Sequence, residues 1–125
     1  AAATKLGAYI KQWRPQGLPC VFSALRDKDV SGILRALDTA ITHIVCTSIN
    51  SPRAQSLGEL TRIASKIRPD ISFDAIENPS KALDLCWKKA PVAVVTGSIF
   101  LVGAVRKALD LGGQDHDTSS AQMYN

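Results

Sequence analysis

Three short segments hold residues whose types and spacing suit chemistry: Thr96–Gly97–Ser98, Arg26–Asp27–Lys28–Asp29 and Ser51–Pro52–Arg53–Ala54. In the first, a glycine lets backbone approach a ligand closely, and Ser98 stands where a helix leaves its first N–H groups unpaired. Those N–H groups and the helix dipole favour a carboxylate or phosphate. Equally, Ser98 is the N-cap of its own helix, a role that needs no ligand. In the second segment Arg26 and Lys28 can hold an anion, while Asp27 and Asp29 can orient them or touch a metal. The plain alternative is a solvated turn in which Asp29 caps the next helix. In the third, proline stiffens a loop that presents Arg53, whose planar fork suits bidentate anions; an exposed loop arginine with no ligand fits the pattern too.

The two histidines add little. His43 lies inside an apolar segment and reads as a packed or edge residue, and His116 lies in a polar tail. No Ser/His/Asp or Cys/His set falls in suitable loops, so no catalytic residue is assigned. No GxxxxGK[ST] or GxGxxG spacing occurs, and a phosphoryl-transfer enzyme needs a phosphate cradle and a metal site. Cys20, Cys46 and Cys86 sit in apolar runs without CxxC spacing. They read as reduced, buried thiols of a cytoplasmic protein and give no metal site.

These segments are positioned by alternating elements. Residues 1–13 carry apolar side chains at helical spacing, and Arg14–Pro15–Gln16–Gly17 breaks the chain. The apolar run 18–25 predicts a strand buried on both faces, 30–38 a helix and 41–48 a second strand. Ser56 and Glu59 have capping-box spacing and open a helix over 57–67. A third strand is predicted over 71–76. Asn78–Pro79 opens a helix to about Lys89, a fourth strand starts at Pro91, and a last helix runs over 99–110. Strands alternating with helices of this length predict an α/β fold, a mostly parallel sheet with helices on both faces. Ligands of such sheets bind at the carboxyl ends of the strands, where all three segments lie.

With 125 residues there is room for one domain, read as 1–110, followed by a polar tail, 111–125, expected to lack regular structure. The net charge is +4, rising to +6 for residues 1–110, which hold all 15 Lys and Arg but nine of the 11 acids. A basic surface attracts anions in general. The basic residues are scattered rather than striped with aromatics, which disfavours nucleic acid. No apolar run is long enough to cross a membrane.

Taken in order, FSALRDKDVSGIL, ITHIVCTS, the NSPRA loop and VVTGSIFLVGAVRKAL resemble the C-terminal domain of folylpolyglutamate synthase/dihydrofolate synthase, of the Mur ligase superfamily. The D-K-D, P-R-A and G-S-x-x-x-V-G elements match in order over about residues 1–110. The resemblance implies a Rossmann-like domain in an enzyme that joins L-glutamate to folate, with ATP and magnesium held mainly by a larger N-terminal domain. It makes Gly97 and Ser98 candidate contacts for glutamate, and Arg26, Asp27, Lys28, Asp29 and Arg53 candidates for lining the cleft. The family's first strand and D-G-A-H-N-P segment have no counterpart here. The chain is therefore expected to be a fragment or a truncated relative, to bind no cofactor alone and to lack ligase activity alone. An exposed sheet edge is expected to favour self-association. A stand-alone anion-binding or protein-interaction module derived from this domain is the alternative.

Overall fold

The computed structural model describes residues 2–112 and 122–123. In chain order the elements are α1 (Ala2–Trp13), β1 (Leu18–Phe22), α2 (Val30–Leu37), a 3-10 turn (Asp38–Ala40), β2 (Ile41–Cys46), α3 (Leu57–Ile67), β3 (Ser72–Ala75), α4 (Pro79–Lys89), β4 (Val94–Thr96), α5 (Ile99–Gly112) and β5 (Gln122–Met123). The strands form one sheet in the order β3-β2-β1-β4-β5, and all the paired strands run parallel. The α/β fold expected from the alternation is the one observed. The short pair Gln122–Met123 beside β4 falls in the segment read as a tail, most of which lies outside the described residues. His116 lies outside them too.

Parallel register divides the core in two. Val21, Val45 and Val95 are aligned across β1, β2 and β4 and join Leu83, Cys86, Leu101 and Val105 beneath α4 and α5. Their chain neighbours Cys20, Phe22, Ile44, Cys46 and Val94 point the opposite way, into a layer with Leu6, Ile10, Leu34 and Leu60 of α1, α2 and α3. A sheet covered on both faces needs apolar residues at successive positions, which is why LPCVF is buried throughout. The connection through α2 and α3 builds outward from β1 to β3 on one face. The chain then returns through α4 across the other face to place β4 on the far side of β1.

All four predicted strands pair over fewer residues than the sequence suggests, β1 and β4 most of all. The run 18–25 pairs as a strand only to Phe22, and Leu25 instead bridges antiparallel to Ala54. The run from Pro91 pairs only over Val94–Thr96, since Pro91 has no N–H for a ladder. Helix starts agree with their caps: Asp29 accepts from Gly32 N at 3.0 Å, Ser56 from Glu59 N at 3.2 Å, and Asn78 from Ser80 and Lys81 N. Glu59 turns to Arg62 instead of reaching back to Ser56; that Arg62 contact holds its carboxyl below the usual range.

Candidate ligand cleft at the carboxyl ends of the strands

β1 and β4 are neighbours, but their following connections lead to opposite faces of the sheet, so a crevice opens between them at their carboxyl ends. Ligands of open α/β sheets bind at such a reversal. Here it forms a cleft of about 510 Å³, lined by Lys28 and Asp29 after β1, Gly32, Ile33 and Ala36 of α2, and Thr96 and Gly97 at the end of β4. The first turn and a half of α1, from Ala2 to Leu6, closes the remaining side. The volume falls in the range of small-molecule sites.

Gly97 is built into this corner by geometry that excludes any side chain. Its φ is +111°, and a Cβ there would lie 2.0 Å from Ser23 O and 2.8 Å from the Phe22 ring. The close approach expected of this glycine is therefore made to the chain's own β1 end, with its open side on the cleft. Ser98 follows with its side chain nearly buried, and its Oγ accepts from Phe100 N at 3.1 Å. It caps α5 and does not line the cleft.

Lys28 and Asp29 reach the cleft differently. Asp29 is occupied as the α2 cap, whereas the Lys28 ammonium has no hydrogen-bond or ion-pair partner among the described residues. Arg26, Asp27 and Arg53 are drawn together beside the cleft rather than within it. Arg26 Nη1 donates to Pro52 O at 3.0 Å, Arg53 Nη2 meets Asp27 Oδ2 at 2.6 Å, and Arg26 N donates to Arg53 O. The Arg53–Asp27 pair is well exposed, so it contributes little stability and serves mainly to order the two loops. What the arrangement can do is hold an anion against Lys28 and exposed backbone; no nucleophile–base pair lines the cleft. Among the described residues no group of three or more His, Cys, Asp or Glu is placed to hold a metal ion.

Sequence reasoning missed two features of the polar architecture. The α1 wall is one: nothing local in the sequence marks that Ala2, Ala3, Thr4 and Leu6 of α1 share a cleft with Gly32, Ile33 and Ala36 of α2. The other is His43, buried on β2, whose Nε2 lies 2.7 Å from Asp74 Oδ2 on β3. Only the β2–β3 register, which sets Val45 against Asp74, makes that pairing visible.

No family model matches the chain. Among curated proteins, the dihydrofolate synthase/folylpolyglutamate synthase of Mycobacterium tuberculosis is 34% identical over 104 residues, covering 69% of this chain and 21% of the relative. The chain thus spans about a fifth of the length of that relative. Among solved structures, folylpolyglutamate synthase from Thermotoga maritima superposes with a TM-score of 0.75 at 32% identity, covering 88% of this chain and 25% of that one. The M. tuberculosis folylpolyglutamate synthase, complexed with ADP and AMPPCP, gives 0.72 at 31% identity, with 92% and 28% covered.

Proposed function

Since this chain is a relative of the C-terminal domain of folylpolyglutamate synthase/dihydrofolate synthase, of the Mur ligase superfamily, we propose that it is the glutamate-side lobe of an ATP-dependent folate ligase. The observation that carries the reading is the cleft at the β1/β4 reversal, where an unpartnered Lys28 faces the Thr96–Gly97 backbone. In this reading Lys28 attracts an anionic group of the reactants, and Gly97 keeps the backbone bare beside it. Ser98 lies off the cleft lining and enters this reading as the cap of α5 behind Gly97, its Oγ accepting from Phe100 N. Arg26, Asp27 and Arg53 hold the outer rim in shape.

ATP would supply the phosphoryl group that activates the folate carboxylate, with ADP as the leaving group, and this chain offers ATP little to bind. The described donor set does not fit a magnesium ion, Asp29 is engaged by Gly32, and a single lysine is no phosphate cradle. The reading places ATP and magnesium on a second domain and gives the isolated chain no ligase activity. The three unpaired, buried thiols suit a reducing, cytoplasmic setting, and among the described residues no helix is long and apolar enough to cross a membrane.

The test is a domain exchange. With this chain in place of the matching segment of the M. tuberculosis relative, folate-dependent ATP turnover should require L-glutamate and fall about tenfold or more in Lys28→Ala. The 125-residue protein alone should show no such turnover. Turnover by the isolated chain, or a folded chimaera indifferent to Lys28, would overturn the reading. A stand-alone anion-binding module is the second reading, favoured by a cleft lined wholly within this chain. Saturable L-glutamate binding to the isolated protein, with no activity in the chimaera, would favour it.

A further inference from the structure

At the opposite, amino end of the sheet a second cleft, of about 350 Å³, is lined by Arg14, Gln16, Gly17, Leu18, Thr42 and Lys89, with Ala90–Val92 and Pro19 completing it. Its charges are one-sided: two cations and no carboxylate line it. The turn after α1 sets Arg14 in place. Arg14 N donates to Ile10 O, and Gly17, at φ +84°, donates back to Arg14 O at 2.8 Å. The guanidinium lies over the Trp13 ring, 4.8 Å from its centroid, and Arg14 Nε is buried with no hydrogen-bond partner.

Among the described residues neither the Arg14 guanidinium nor the Lys89 ammonium has a hydrogen-bond or ion-pair partner. A buried donor left unpaired is costly, and more so when it belongs to a charged group. Holding two cations on one cleft adds repulsion. One oxyanion between them relieves both costs, accepting from the guanidinium as planar forks favour.

We propose that this amino-end cleft is a second anion site, in which Arg14 and Lys89 bind a compact oxyanion, either phosphate or carboxylate. The site is independent of the ligase reading and lies across the sheet from the first cleft. α1 joins the two: its start lines the first and its last turn leads into Arg14 at the second.

The test is titration of the 125-residue protein with inorganic phosphate and, separately, with acetate, followed by backbone amide NMR. Saturable shifts at Arg14, Gly17, Thr42 and Lys89 are expected, with Trp13 fluorescence changing in parallel. Arg14→Met should weaken binding about tenfold and Arg14→Lys less, because the charge survives without the fork. Lys89→Met should weaken it severalfold, and Lys66→Met, on the far surface of α3, should leave it unchanged. Tighter binding of one probe identifies the oxyanion class. Shifts that never saturate, or that Lys66→Met reduces as much as Arg14→Met does, would overturn the proposal. Thermal melts of each variant separate lost binding from lost folding.

Discussion

Gly97 sits where backbone strain and packing coincide, so a single methyl there has large consequences. With φ at +111° and a Cβ forced to 2.0 Å from Ser23 O, Gly97→Ala must push β4 away from β1. A loss of about 3 kcal/mol or more is expected, read from the urea midpoint. Its neighbour responds differently. Ser98→Ala removes the acceptor for Phe100 N and should cost about 1 kcal/mol, whereas Ser98→Gly should cost only a few tenths. If Ser98 also meets glutamate, both variants lose activity in the chimaera alike while differing in stability. Comparing the two melts with the two rates thus separates the cap from the contact.

Among elements, the corner joining α2 and α3 depends on one buried arginine. Arg68, just past α3, donates to Asp38 O and Ile41 O and pairs with Asp70. It ties the end of α3 to the turn that starts β2. Arg68→Ala leaves two carbonyls without this donor and should cost about 2–4 kcal/mol by chemical denaturation. The same corner carries a pH dependence. The Arg68 hydrogen bond, helped by the Asp70 backbone N–H, holds the Asp70 carboxyl below its ordinary value of 3.8. Because the folded value is depressed, this contribution is complete above the ordinary value and is lost as pH falls through the lower, folded one. Stability measured from pH 5 down to pH 2 should therefore fall less steeply in Asp70→Asn than in the parent. An unchanged slope would mean the pair is too exposed to matter.

For the whole molecule, the sheet's two apolar layers make the cysteines reporters of global opening. Cys20 and Cys46 lie in the layer under α1, α2 and α3, and Cys86 in the layer under α4 and α5. Burial pushes the Cys46 thiol up to about 11, that of Cys86 up to about 12, and that of Cys20 well above its usual value. All three are protonated at pH 8, and the thiolate is the nucleophile. A thiol reagent should leave the native protein unlabelled and label every cysteine once denatured. If the two layers open together, the three thiols should react at one common rate. Faster labelling of Cys86 alone would show that the α4–α5 side opens separately.

Much of this was legible in the residues themselves. Asp29, Ser56 and Asn78–Pro79 mark helix starts through hydrogen bonds made within a few residues, so the chain states them without its fold. Apolar runs such as LPCVF state burial on both faces for the same local reason. The family resemblance rested on the order of three loops, and relatives bear it out. Strand ends were not legible, because pairing stops where a neighbour stops: Leu25 leaves β1 to meet Ala54. The candidate site was legible only as a set of loops. That Lys28 faces Gly97, that Arg53 turns to Asp27, that His43 meets Asp74 and that Arg14 shares a cleft with Lys89 are decided by strand order and register. Those contacts join residues far apart in the chain, and no local propensity encodes them. The sequence by itself determined which elements form and which loops carry charge. Tertiary structure decided which charges meet, because only the reversal between β1 and β4 brings the ends of distant strands to one crevice.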